Sequence, residues 1–421
     1  MKIAYVTETF LPSVDGVVTR MTHALDWLAE NGHELQIIAP DLGCHEYRGF
    51  PVVGVRAVTY PLYRSRPWGT PSPAVARALG RFSPDIVHVW QPSLVGLPAV
   101  LYARRRRIPL VTSYHTNIAS YLDYYGPLMR SLRRPVMAFQ RWMHNMSPQT
   151  LVTSRAMRAH LEDEGFAGPV VLPRGVELAA RDPRFASSEM RGRLSGGHPE
   201  RPLLVYVGRV AVEKGLPTLE PLMRAHPEWS LAIVGGGPQL DRLRERFAGT
   251  NTTFTGFLQG DELSAAFASG DAFVFPSTTE TLGLVILEAQ ASGVPVVAAT
   301  SPATDEQIRP GINGLTYDPA APSSLEQAVL AALNDAAVRE RMRAAGLAEA
   351  RENDWEHASA ALYACYEQTL AFYADGWQAP RHPMRRAAVT VGAGRGDARG
   401  DGRGEAAGFI NAGGHREEGT R

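Results

Sequence analysis

Cysteine is scarce: Cys44 and Cys365 are the only two in 421 residues, far apart and without the paired spacing of a metal site. That excludes a disulfide framework and a structural zinc site, and it fits a reducing cytoplasm. An excess of one charge is also lacking, with 43 basic and 43 acidic residues, so no global field points to nucleic acid as a partner. No run of about 18 apolar residues occurs, and the opening MKIAYVTETFLPSVDG holds one early lysine and a short apolar run that reads as a strand. Neither a membrane span nor a signal peptide is expected. There is no D-x-D triplet and no His/Asp/Glu cluster with metal spacing, so no metal or other cofactor is expected. The first strand is not followed by G-x-G-x-x-G, which argues against a nicotinamide dehydrogenase. Lysine occurs only at Lys2 and Lys214, arginine supplying every other cation, so Lys214 invites a specific explanation.

What is present is an α/β rhythm. Apolar runs of strand length fall at 2–7, 34–39, 52–55, 86–90, 110–114 and 150–153, separated by helix-period segments at 18–31, 73–81, 97–105 and 134–146. The cycle restarts with strands at 203–207, 230–234, 253–255, 272–275 and 294–298. Continuous apolar strands alternating with helices predict parallel sheets covered on both faces. We read residues 1–176 as one Rossmann-like domain and 202–354 as a second, with the aperiodic stretch 177–201 as linker and a cleft between them. A long helix is predicted over 355–373, ending the folded part near residue 379. Residues 380–421, dominated by Gly, Arg and Ala, are expected to be disordered.

The strongest chemical signal is PSTTETLGLVILEAQASGVPVV, residues 276–297, in which Glu280 and Glu288 stand eight positions apart across a strand-to-helix junction. Gly283 opens the helix, and the free N–H groups around Leu282, Gly283 and Leu284 face an anion at the positive end of the helix dipole. The geometry suits a diphosphate flanked by two hydroxyl-binding acids; the alternative is a cap neighbour and a solvated helix residue. VYVGRVAVEKG, residues 205–215, offers Arg209 and Lys214 five positions apart, a planar fork and a mobile point charge able to neutralise one pyrophosphate as it leaves. IVGGGPQLDRL places Gly235 in a tight strand-helix turn, where glycine serves backbone geometry or close nucleotide approach. Asp15 and Gly16 form the first strand-to-helix turn, and His115 follows the fifth strand, where open parallel sheets bind ligands.

The segment TETLGLVILEAQASGVPVV closely resembles the E-x7-E signature of GT-B glycosyltransferases of family 4, and the resemblance covers about residues 1–373. It implies two Rossmann-like domains whose sheets face across a cleft, and a nucleotide-sugar co-substrate used without metal. By this resemblance Glu280 binds donor-sugar hydroxyls and Glu288 the ribose. The family's GR-x-x-x-EKG motif assigns Arg209 and Lys214 to the phosphates. The Gly235 loop lines the nucleoside side, and residues 254–258, with Phe257 and Leu258, look like the base-contacting stretch. His115 matches the family's H-T element and points at the donor sugar near the anomeric centre, with Tyr114 and Asn117 beside it. Many relatives carry a glycine pair where this chain has Asp15 and Gly16, so only the second glycine is matched. The catalytic set is then His115, Glu280, Arg209 and Lys214, and the implied outcome is retention of configuration.

Residues 120–146 interleave Tyr121, Tyr124 and Tyr125 with Arg130, Arg133, Arg134 and Arg141, and Arg104–Arg106 and Arg107 add further charge. Such a surface suits anionic lipid, and an ordinary exposed helix face is the alternative. The stretch resembles enzymes that glycosylate lipids, including GDP-mannose α-mannosyltransferases and sulfoquinovosyl-diacylglycerol synthases. Mannose transfer from GDP-mannose to a lipid or glycolipid is therefore expected, in the cytoplasm or peripherally on the inner face of the cell membrane. A UDP-sugar-dependent transferase to diacylglycerol, a nucleotide-sugar epimerase or hydrolase, and a non-catalytic nucleotide-sugar binder are the alternatives. The sequence leaves the oligomeric state open.

Overall fold

The computed structural model describes residues 1–379 apart from Val14, Pro61, Leu62, Ile118, Ser120, Tyr121, 123–126 and Thr281. The expected disordered tail, 380–421, lies outside the described residues, as do Tyr121, Tyr124 and Tyr125.

The first half builds strands β1 (Lys2–Thr7), β2 (Glu34–Pro40), β3 (Glu46–Tyr47), β4 (Phe50–Val55), β5 (Ala57–Tyr60), β6 (Tyr63–Gly69), β7 (Ile86–Trp90), β8 (Leu110–Tyr114), β9 (Thr150–Val152) and β10 (Pro169–Val171). Among the described residues β5 and β6 pair only with each other, and the rest form one sheet in the order β10-β9-β8-β7-β1-β2-β4-β3, parallel except for β3 against β4. The second half adds β11 (Leu203–Val207), β12 (Ser230–Val234), β13 (Thr252–Gly256), β14 (Ala272–Phe275), β15 (Val296–Ala299) and β16 (Leu315–Tyr317). They form a parallel sheet in the order β13-β12-β11-β14-β15-β16.

The central strands are buried along almost their whole length, as the continuous apolar runs require. Because side chains alternate across a strand, Ile3 and Tyr5 enter one core with Met21 and Leu25, while Ala4 and Val6 enter the other with Val75, Leu79 and Val100. In both sheets the strand order reverses beside a central strand, at β1/β7 and at β11/β14, and open sheets bind ligands beyond the carboxyl ends of the strands at such points.

Three features of the fold go beyond the sequence reading. The stretch read as linker contains the helix Ser188–Leu194, capped by Ser187, whose Met190 and Leu194 are buried in the core of the second sheet. Seven residues are too few to display a helical period against the surrounding Gly, Ser and Pro. The helix Trp355–Ala374 follows the second sheet in sequence but packs on the first: Tyr366 OH lies 2.6 Å from Tyr5 OH and 2.7 Å from His88 Nδ1, and Trp355 stacks on His23. The short strands β3, β5, β6, β10 and β16 also went unread, because two- to seven-residue segments without a sustained apolar run give no periodic signal.

Candidate active site

The turn after β1 is shaped by Asp15, whose Oδ1 accepts hydrogen bonds from Val17 and Val18 N–H, both at 2.9 Å, capping the helix Gly16–Glu30. A Cβ on Gly16 would lie 3.6 Å from Leu284 Cδ1, so the first turn of one sheet faces the helix Leu284–Ala291 that follows β14 of the other. The carboxyl edges of the two sheets thus look at each other across this contact.

On the second sheet, Gly283 has φ of 63°, the left-handed region that glycine enters without a side-chain penalty. A Cβ there would come within 2.6 Å of Gln307 Nε2, which donates to Leu282 O at 3.2 Å and to Ala303 O at 3.1 Å. Gln307 therefore fixes the turn that opens the helix. The preceding loop is tied to the Lys214 loop: Ser277 Oγ and Thr279 Oγ1 both donate to Glu213 O, at 3.4 and 3.2 Å. The result is that Lys214 Nζ sits 2.5 Å from Glu280 Oε2. Arg209 reaches Glu213 four residues on across an extended loop, and its own carbonyl is held by Tyr206 OH at 3.0 Å.

Glu288 is not a solvated helix residue. Arg181 Nε and Nη2 both donate to its Oε1, at 3.2 and 3.0 Å, and the guanidinium packs over the Phe267 ring. Gly235 has φ of 133°, and a Cβ on it would run into Gly208 O, so backbone contact between the turns after β11 and β12 requires glycine there, while a Cβ on Gly208 would meet Tyr206 OH at 2.8 Å. Phe257 is 71% exposed and lies against Gly236, while Leu258 is buried in the core of the second sheet.

On the first sheet, His115 is buried and stacks on Trp90 with ring centroids 4.6 Å apart. Burial, followed by the positive charge of Arg20 and the neighbouring His88 and His144, holds its pKa well below the usual histidine range, so the ring is neutral. Its turn is fixed by Gln91, whose Oε1 accepts from His115 N–H and Thr116 N–H, both at 2.7 Å. Gln91 itself has φ of 55°, a conformation that costs a non-glycine residue energy and survives only where its surroundings enforce it. Tyr114 OH donates to Asn117 Oδ1 at 3.2 Å.

Gln91, Arg181 and Gln307 were missed in the sequence. Gln91 had a faint signal, a polar residue directly after a buried, mostly apolar strand; the other two act across long sequence separations and had none. Also missed was Glu306, whose carboxylate, following β15 of the second sheet, receives the N–H groups of Arg155 (2.8 Å) and Ala156 (2.5 Å) after β9 of the first.

A family model described as Glycosyltransferase Family 4 matches residues 14–180, and one described as Glycosyl transferases group 1 matches residues 194–348. The chain is 37% identical to the sulfoquinovosyl transferase of Arabidopsis thaliana over 82% of its length and 69% of that protein. It is 33% identical to a GDP-mannose-dependent alpha-mannosyltransferase of Corynebacterium glutamicum over 89% of each. Among solved structures, sucrose-phosphate synthase from Thermosynechococcus elongatus is similar with a TM-score of 0.70 at 19% identity, covering 88% of this chain and 99% of that one. Anabaena HepE in complex with UDP and glucose is similar at a TM-score of 0.70 and 18% identity, over 87% of this chain and 100% of that one. These two structures bear on the fold, the sequence relatives on the family. The paired parallel sheets and the two family matches in tandem lead to one assignment: this chain is a glycosyltransferase of the GT-B fold and belongs to family 4.

Proposed function

We propose that the chain is a retaining hexosyltransferase that moves a sugar from a nucleotide-sugar donor to a lipid or glycolipid acceptor, with mannose from GDP-mannose as the first reading. The observation that carries the proposal is the Lys214–Glu280 pair at the mouth of the helix Leu284–Ala291, opposite Gly16. In this reading the donor diphosphate lies at the helix N-terminus and meets Arg209, Lys214 and the N–H groups of Leu282, Gly283 and Leu284, with no metal required. Glu280 takes the sugar hydroxyls and Glu288 the ribose. The exposed Phe257 ring offers a face to the base. Gly235 shapes the nucleoside side through its backbone, and Asp15 shapes the Gly16 turn.

Chemistry then follows from charge. The bond between the anomeric carbon and the diphosphate oxygen breaks, a bond to the acceptor oxygen forms on the same face, and the acceptor proton passes to the departing phosphate. Lys214 and Arg209 stabilise the charge that develops on the leaving group. The neutral His115 ring hydrogen-bonds the sugar without adding a competing charge.

The acceptor reading rests on the names of the relatives and on one surface. Leu128 on the helix Pro127–Ser131, Leu132 in the turn after it and Phe139 on the helix Arg133–His144 are exposed, with Arg130, Arg133 and Arg134 exposed among them. Beside them lies a cavity of about 660 Å³ lined by Arg133, Arg134, Met137, Ala138, Arg141 and Glu164. An apolar stripe flanked by arginines is the pattern of a face resting on an anionic bilayer. A UDP-linked sugar, glucosyl or sulfoquinovosyl, passed to diacylglycerol is the second reading, favoured by the identity to the sulfoquinovosyl transferase.

The test is transfer of radiolabel from GDP-mannose, UDP-glucose and UDP-sulfoquinovose to diacylglycerol or glucosyl-diacylglycerol in anionic vesicles, with the anomeric configuration of the product determined. A labelled α-linked lipid from one donor supports the reading. Hydrolysis without transfer, or an inverted product, contradicts it.

A further inference from the structure

Trp355 stands where the chain returns from the second sheet to the first. Val176 N–H donates to Asn353 O at 2.9 Å and Val176 pairs with Asp354, so the outgoing and returning crossings run side by side. Asp354 then caps the helix Trp355–Ala374 by accepting from His357 N–H at 2.7 Å, which fixes Trp355 as the first residue of that helix. Gly175, on the outgoing crossing, leaves room for the indole: a Cβ there would run into the Trp355 ring.

The first helix and the donor turn meet at the same ring. Gly16, Arg20 and His23 share one face of the helix Gly16–Glu30. That face approaches Leu284 through Gly16, holds the outgoing crossing through Arg20 Nη2, which donates to Pro173 O at 2.5 Å, and stacks His23 on Trp355 with ring centroids 4.5 Å apart and planes 11° apart. Among the described residues Trp355 and Ala358 form a small buried cluster with Leu282 and Leu284, distinct from the cores of the two sheets.

Leu282 and Leu284 are residues whose N–H groups are read above as meeting the donor diphosphate. Backbone donors at a helix start have no side chain of their own to aim them, so their direction depends on how the neighbouring side chains are anchored. Gln307 anchors the turn from the second sheet through Leu282 O. An indole serving stability alone would do so equally well in either large core; here it joins the two leucines of the donor turn to the first helix.

We propose that Trp355 is a positioning residue for donor binding: clustered with Leu282 and Leu284 at the crossing between the two sheets, it holds the N–H groups of that turn in the orientation a diphosphate requires and registers the arrival of the ligand. The role rests on the reading of the diphosphate at the start of the helix Leu284–Ala291 and adds the residue that ties this turn to the first helix.

Isothermal calorimetry on the full chain, without metal, measures the affinity for GDP, UDP and ADP in the native protein and in Trp355→Leu, Trp355→Phe and Tyr366→Phe. Tyr366→Phe removes a buried hydroxyl about three turns further along the same helix and so controls for a general loosening of that helix. Trp355→Leu should weaken the nucleotide that the native chain binds by about tenfold, the worth of a buried aromatic contact, Trp355→Phe by about threefold or less, and Tyr366→Phe should leave it unchanged. Tryptophan emission gives a second readout, because an indole reports the polarity around it: the change that nucleotide induces in the native chain should be mostly lost in Trp355→Phe, which still binds. If Trp355→Leu does not fold, the emission arm decides. Unaltered affinity in Trp355→Leu, an equal loss in Tyr366→Phe, or an emission change that is absent from the native chain or retained in full by Trp355→Phe overturns the positioning role and leaves the donor reading standing. Absence of nucleotide binding by the native chain overturns the two together.

Discussion

Lys214 Nζ lies 2.5 Å from Glu280 Oε2, with each side chain 18% exposed. The cation proposed for the leaving phosphate thus pairs with the carboxylate proposed for the sugar, and on that proposal donor binding redistributes the pair. Lys214→Met should lower kcat by about a hundredfold or more through lost charge stabilisation. It also strands Glu280, so adding Glu280→Gln should recover part of the stability lost in the single variant. A double-mutant cycle by urea denaturation measures that coupling, expected at about 1 kcal/mol or more; additive effects would mean the pair does not interact.

Gln91 holds the His115 turn through two N–H groups, that of His115 buried and that of Thr116 half-buried. Gln91→Ala leaves both without their acceptor, and a loss of about 2–4 kcal/mol follows from the desolvation of the orphaned donors. The same change should lower kcat while leaving nucleotide affinity unaltered, because the nucleotide sites assigned here lie on the other sheet. Equal losses in kcat and in nucleotide binding would show that Gln91 acts on the whole fold and not on the histidine turn.

Burial pushes the pKa of His88, His115 and His144 down, the last to about 3, and all three are neutral in the folded chain. Their folded values lie below the unfolded value of about 6.5. The sign follows: stability is full above about pH 6.5 and falls as pH drops, because the unfolded chain then takes up protons that the folded chain refuses. Each such histidine contributes a slope of up to about 1.4 kcal/mol per pH unit. His144 also shares a hydrogen bond of 2.9 Å with Thr112 Oγ1, so His144→Asn is the conservative probe. Equilibrium unfolding between about pH 6.5 and 4.5 should show a shallower slope in this variant, and an unchanged slope would remove His144 from the account.

Arg181 supplies two hydrogen bonds to one oxygen of Glu288 and is only 11% exposed. Arg181→Met should free that carboxylate to swing away from the ribose position, raising the donor KM by about tenfold with a smaller change in kcat. Steady-state kinetics with the accepted donor separate the two parameters. A fall in kcat alone would place Arg181 with the reacting centre and contradict the ribose assignment.

Much of this site was legible because its residues come in short, dense motifs. Glu280 with Glu288 and Arg209 with Lys214 sit within eight positions of each other, and strand-to-helix junctions with glycine announce a ligand-facing edge. The buried strands were equally legible, since parallel sheets demand unbroken apolar runs such as 203–207 and 230–234. What could not be read was made by residues distant in sequence. Arg181 answers Glu288 from 107 positions away, and Tyr366 closes onto Tyr5 from 361 positions away. The return of the last helix to the first sheet depends on shape and on one buried hydroxyl network, neither of which leaves a periodic trace. Arg20 likewise reads as an unremarkable helix residue until its burial is seen.

The most direct measurement of the central claim is metal-free thermal stabilisation by GDP, UDP and ADP, in the native chain and in Lys214→Ala. At a hundred times its dissociation constant a bound nucleotide stabilises by about 2.7 kcal/mol. The account predicts that one of the three raises the melting temperature of the native chain and that Lys214→Ala loses most of that rise. No shift with any nucleotide, or a shift that the variant retains in full, would contradict a donor diphosphate held by Lys214 at the start of the helix Leu284–Ala291.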